Sequence, residues 1–236
     1  MGFGFQFTVK GEYALFTRPE FAVERVSYDV PTPSALVGLI SSIYWHPGVR
    51  YIIDEIRVYH PVNFVNVRRN EVSEKLPPNM VKEQMLGKRT DMGIYTKESI
   101  SQRASLLLKD VYYGISAHFE LTKEKDEEQS EEKVYAILLR RLKKGQFFSQ
   151  PFLGCREFPA RVEWVDTLPK STLDYTADLG YMLYDLQYHK DDKGRALDRA
   201  EPRFYRPHIE NGVIDVQKWA KESLRCLENW LNIMTV

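Results

Sequence analysis

Residues 111–121 read VYYGISAHFEL. In an extended chain Val111, Tyr113, Ile115, Ala117, Phe119 and Leu121 share one face, and Tyr112, Gly114, Ser116, His118 and Glu120 share the other. A helix cannot use that period. The pattern demands a sheet with one face buried and one face less apolar, the arrangement antiparallel sheets permit. Phe3, Phe5, Phe7 and Val9 repeat it against Gly4, Gln6 and Thr8 near the N-terminus. Further strands fit Arg25–Val30 and Arg57–Val67, with Pro61 as an edge or bulge signal.

Two segments have helical spacing instead. In TPSALVGLISSIYWHP (32–47), Thr32 is a good N-cap and Pro33 suits the first turn. Leu36, Leu39, Ile40 and Ile43 make the apolar stripe, and Pro47 forbids continuation. The helix therefore ends on Tyr44, Trp45 and His46, with Trp45 expected as a core anchor. In SEEKVYAILLRRLKKG (130–145), Ser130 caps, Glu131 and Glu132 occupy the positive end, and basic residues crowd the negative end before Gly145. Between 73 and 103 the pattern is lost amid Pro77, Pro78, Gly87 and Gly93, and Lys82, Lys88, Arg89 and Arg103 suggest a basic flap.

Strand, strand, helix, strand, strand, helix over the first 146 residues predicts an α+β fold. Its N-terminal domain is ferredoxin-like (RRM-like), with helices on one face of an antiparallel sheet. From Phe147 short strands and turns dominate: 147–152, 161–165, 179–188, 203–209 and 213–216, with Asn211-Gly212 as a hairpin turn. Residues 147–236 read as a smaller antiparallel β-rich domain closed by a helix over 217–233.

The chain has 236 residues, is 43% hydrophobic and carries zero formal net charge. That balance is uneven: KEKDEEQSEEK (123–133) has three Lys against six Asp and Glu, so the remainder sums to +3. Two cysteines make neither a disulfide framework nor a cysteine-only zinc site. No apolar run reaches membrane-spanning length. A cytoplasmic, reducing environment and no membrane association are expected.

Tyr112, Ser116 and His118 on an uncovered sheet face suit single-stranded RNA. RNA carries its own nucleophile, the 2′-hydroxyl. A histidine fits acid–base work near neutral pH, and a tyrosine at the helix rim can orient the hydroxyl. Neither a metal nor a cofactor is called for: no carboxylate or His/Cys cluster, phosphate loop or dinucleotide fingerprint is present. Plainer readings exist. A tyrosine ending an amphipathic helix packs with its hydroxyl wet. A lone strand histidine is commonly satisfied locally, and the 140–144 cations answer the helix dipole.

GEYALFTRPEF (11–21), ERVSYDVPTPSALVGLISSIYWHP (24–47), IDEIRVYHPV (53–62), FLGCREFPA (152–160), LGYMLYDLQY (179–188) and PRFYRPHIENGVIDV (202–216) together resemble the type I-C (Dvulg subtype) members of CRISPR-associated family five. These belong to the RAMP superfamily of precursor-RNA endoribonucleases. The resemblance implies metal-independent cleavage of CRISPR repeat RNA with a 2′,3′-cyclic phosphate product. It also implies retention on the 5′ tag of the mature guide beside other type I-C Cascade subunits, and, for that complex, double-stranded DNA as a further partner. It places Tyr44 and His118 at the family's catalytic tyrosine and histidine. The family's lysine does not carry over, since Ser116 and Ala117 precede His118. Lys88, Arg103 and Lys109 are candidates for that charge. Arg68, Arg69, Lys88, Arg89 and Arg156 form the candidate phosphate-binding face, with Gly154 letting backbone approach a phosphate. A non-cutting subunit that caps the 5′ tag is the alternative reading, and a DNA-binding or DNA-nicking role a third.

Overall fold

The structure is a computed structural model that describes residues 3–21, 24–88, 93–122, 129–190 and 196–223. Strand β1 (Gly4–Ala14) is followed by β2 (Arg25–Val26), α1 (Pro33–Ile43), β3 (Val49–Val58) and β4 (Phe64–Val72). Then come α2 (Pro78–Met85), β5 (Ile100–Leu121), α3 (Glu131–Lys144) and β6 (Arg161–Trp164). Short strands close the chain: β7 (Ala177–Asp178), β8 (Met182–Lys190), β9 (Ala196–Tyr205), β10 (His208–Ile209) and β11 (Val213–Asp215). Residues 216–223 are helical, and the rest of the helix expected over 217–233 lies outside the described residues.

Seven strands among the described residues make one large sheet: five in the order β11-β3-β5-β1-β6, with β2 and β4 also paired to β5. Its pairings are antiparallel except for β2 beside β5. The 22-residue β5 is the spine. Its first half pairs with β4 and its second half with β1 and β3, and Asp110, with φ of 54°, marks the joint. The period-two residues of 111–119 are buried on one side, as their alternation demands. Phe5, Phe7 and Val9 join them there under α1 and α3, with Phe3 stacked between Phe119 and Tyr135 of α3.

Helix α1 forms as its caps dictate: Thr32 Oγ1 accepts from the Ala35 amide at 3.2 Å. Its far end is closed from outside. Phe148 N and Ser149 N both donate to the Ser42 carbonyl at 3.0 Å, and the Arg141 guanidinium donates to the Ile43 carbonyl at 2.5 Å. Stretch 147–152, expected as a strand, is therefore a capping turn. Trp45 is not the expected core anchor. It is 62% exposed, because Tyr44 turns to extended backbone and takes the buried position.

Other boundaries also differ. The run 57–67 is two strands, the end of β3 and the start of β4, joined through Pro61. The patternless 73–103 contains α2 and the start of β5. Strands β6 and β11 pair with β1 and β3, so the large sheet runs across residue 146. The Asn211-Gly212 hairpin forms with φ of 50° and 75°.

The candidate active site

Strand β3 bulges at Asp54. Ile53 pairs with Ala117, but Glu55 already pairs with Ser116, so Asp54 has no partner across the ladder. Gln217 Nε2 holds the bulge by donating to the Ile53 carbonyl at 2.9 Å. A bulge re-aims a side chain. Here it turns the Asp54 carboxylate onto His118, whose Nδ1 lies 2.9 Å from both Oδ1 and Oδ2. A carboxylate only accepts, so Nδ1 carries the proton and donates it. Nε2 is then the atom left for a substrate. Both side chains are partly exposed.

Ser116 lies one pleat along from His118 on the same face. With Gly4, Gln6, Trp164 and Asp166 it lines a cavity of about 420 Å³, and Gly4 is also the β1 register partner of His118. The polar pair and the polar cavity thus adjoin at the end of β1 and β5. The face is not bare, as the sequence suggests. Leu168 is buried against it: its amide donates to Gln6 Oε1, and Arg57 and Tyr59 donate to the Leu168 and Pro169 carbonyls. Beyond that loop Tyr112 packs on Tyr59 and His60, with Lys10 Nζ 4.2 Å above its ring. Burial pushes the Tyr59 hydroxyl up to about 12.

Tyr44 does not join this group. Tyr51 donates to its carbonyl at 2.7 Å, and the Arg141 guanidinium sits 5.1 Å over its ring. Tyr51 and Arg141 are on the helix side of the sheet, and the pleat puts His118 on the other. Burial raises the Tyr44 hydroxyl above its usual value, against a smaller lowering by Arg141. It is therefore a neutral phenol at physiological pH, a hydrogen-bond donor and not a base.

The arginines gather elsewhere. Arg69 pairs with Glu157 of the 152–159 turn and lies 5.7 Å over Phe158, and it faces Arg103 across the β4–β5 ladder. Arg103 and Arg25 share Glu71, at 3.8 and 3.0 Å. Arg68, on the other face of β4 from Arg69, is exposed, and so is Arg156 in the 152–159 turn. The Cys155 thiol there is pushed up by burial, with Glu157 adding and Arg25 and Arg69 opposing. Gly154 serves the turn itself: its φ is +82° and a Cβ would stand 2.0 Å from the Leu15 carbonyl oxygen. Lys109 is exposed at the β5 joint, Lys88 is exposed after α2, and Arg89 lies outside the described residues. From Arg103 to His118 is fifteen residues of strand, up to about 50 Å. The structure therefore brings together His118 with Ser116, and Arg69 with Arg103 and Arg25 around Glu71 and Glu157, at opposite ends of β5, while Arg68 projects from the other face of β4.

Asp54 is the residue that period reading misses. Its signal is a slip in the apolar alternation of β3: Tyr51 and Ile53 are buried, then Ile56 and Val58.

The comparisons with known proteins agree with one another. The Cas5d family model, described as CRISPR-associated protein (Cas_Cas5), matches residues 4–217. A CRISPR pre-crRNA endoribonuclease Cas5d of Mannheimia succiniciproducens is 40% identical over 222 residues, covering 91% of this chain and 95% of that protein. Its namesake in Thermus thermophilus is 36% identical over 232 residues, covering 93% and 94%. Among solved structures, a CRISPR-associated protein aligns with TM-score 0.63 and 25% identity over 91% of each chain. A functionally uncharacterized protein from Streptococcus mutans aligns with TM-score 0.61 and 25% identity, over 90% of this chain and 91% of that one.

Proposed function

Because this chain belongs to the Cas5d family of CRISPR-associated proteins, we propose that it is an endoribonuclease that cuts CRISPR repeat RNA in the precursor transcript and stays on the guide. The observation that carries the chemistry is the Asp54–His118 pair on the sheet face beside a polar cavity. In this reading the RNA 2′-hydroxyl gives up its proton to solvent water as its oxygen attacks the adjacent phosphorus, and the bond from phosphorus to the 5′-oxygen breaks. His118, held by Asp54, gives the departing 5′-oxygen its proton. The products are a 2′,3′-cyclic phosphate and a 5′-hydroxyl, and no metal takes part. One positioned acid of this kind is worth about 10²–10⁴-fold.

The strand order β3-β5-β1-β6, with α1 and α3 as crossovers, supports a ferredoxin-like core. Residence in the cytoplasm and a place in a type I-C Cascade complex on the 5′ tag belong to the same proposal. The separation of Tyr44 from His118 favours a second reading, a subunit that binds the tag without cutting. Incubation of the pure protein with its cognate repeat RNA in excess chelator tests between them. A discrete product is expected; cleavage only with added Mg²⁺ overturns the mechanism, and binding without any cleavage selects the second reading.

Binding itself should be steep in salt despite zero net charge, because phosphate contacts release counterions locally. Four or five contacts at about −0.7 each give a slope of log K against log salt near −3. Arg156→Ala should flatten it by about 0.7, one contact's worth. Titrations from low to physiological salt measure this. An unchanged slope in Arg156→Ala would move the RNA off the β4–β5 corner.

A further inference from the structure

The helix side of the sheet carries a surface that the cleavage chemistry does not use. Helix α1 runs out into Trp45, and α3 runs out into Phe147 and Phe148, which are 48% and 84% exposed. The shared hydrogen bonds of Phe148 and Ser149 to the Ser42 carbonyl bring these rings to one corner. Phe147 also lines a groove of about 430 Å³ that runs between the α3 end and β6. Segment 140–150, RRLKKGQFFSQ, holds four cations and no carboxylate. Glu131 and Glu132 are at the far end of α3, and Glu163 of β6 is engaged with Arg161 at 2.8 Å.

Exposed flat rings bordered by cations of one sign call for a partner that is flat, apolar in its planes and negative along its edge. Unpaired nucleotides have that chemistry: bases stack on aromatic faces while phosphates meet Lys and Arg, without sequence preference. A duplex does not, because its bases are already stacked. Resting on the RNA reading above, we infer that Trp45, Phe147 and Phe148, with Arg140 and Lys144 exposed near the C-terminal end of α3, form a stacking platform. It holds a single-stranded stretch of the RNA on the side of the sheet opposite His118. The platform adjoins the end of α1, so a strand that crosses the sheet end passes from one site to the other.

The test uses the full chain and a fluorescein-labelled uridine 12-mer. The parent should bind it, and the Trp45→Ala/Phe148→Ala double variant should bind about 30-fold or more weakly, each ring accounting for several-fold to a hundredfold. Both side chains are exposed, so the fold should survive. Ultraviolet crosslinking supplies an independent readout, with the uridine adduct expected in the peptide that contains 145–150. Equal affinities in parent and double variant, with repeat cleavage intact, overturn the platform and leave the nuclease reading standing. An undiminished RNA affinity together with lost co-purification of sister subunits overturns it too, marking the face as a protein interface. A parent that neither binds nor cuts any RNA removes both readings.

Discussion

His118→Ala is expected to slow single-turnover cleavage of saturating repeat RNA by about 10²-fold or more, because the departing oxygen loses its proton donor. Repeat affinity should change little, since the arginines proposed to bind phosphate lie up to about 50 Å away along β5. Asp54→Asn should reproduce much of the loss in rate without loss of affinity. The amide nitrogen can donate to Nδ1, and a ring that accepts there no longer presents the arrangement the carboxylate imposes. Asp54→Glu, which keeps the charge and the acceptor, should recover part of it. A merely structural Asp54 would instead show equal losses in Asn and Glu variants together with a lower melting temperature. If His118→Ala cuts at the parent rate, the proton donor is another residue.

Gly154→Ala should cost about 2–5 kcal/mol of stability. A left-handed backbone charges an ordinary residue about 1–2 kcal/mol, and overpacking adds about 1–3. The neighbour cannot yield, because the atom a Cβ would meet is backbone: the Leu15 carbonyl, 2.0 Å away, whose own amide is hydrogen-bonded to the Leu153 carbonyl. Chemical denaturation of parent and variant measures the difference. A cost below about 1 kcal/mol would mean that the 152–159 turn relaxes freely, and Gly154 would then be available for the phosphate role its sequence context suggests.

The parts of the fold that obey a period were legible in the chain. Strand β5 and strand β1 follow alternation, and α1 and α3 follow their caps, because those signals express local sterics and one-sided burial. What escaped depends on contacts distant in sequence. Trp45 reads as a core residue by type, yet Tyr44 takes the buried place once Arg141 and Phe148 close the helix end. The sheet face reads as open, and no period announces that Leu168 will cover its middle. Asp54 reads as one more polar residue of a strand until the slip from Ile53 to Ile56 is recognised as a bulge. The histidine was thus visible from its strand, whereas its carboxylate partner and its separation from Tyr44 required the folded chain.

In the proposed mechanism the RNA's own 2′-hydroxyl cuts the chain with His118 as proton donor. The direct measurement uses cognate repeat RNA carrying a single 2′-deoxy nucleotide immediately upstream of the cut, with excess chelator and analysis of product ends. The unmodified RNA should yield a 2′,3′-cyclic phosphate and a 5′-hydroxyl, and the deoxy RNA should bind normally and stay whole. Cleavage of the deoxy RNA at the same bond, or a product bearing a 5′-phosphate, would contradict the account.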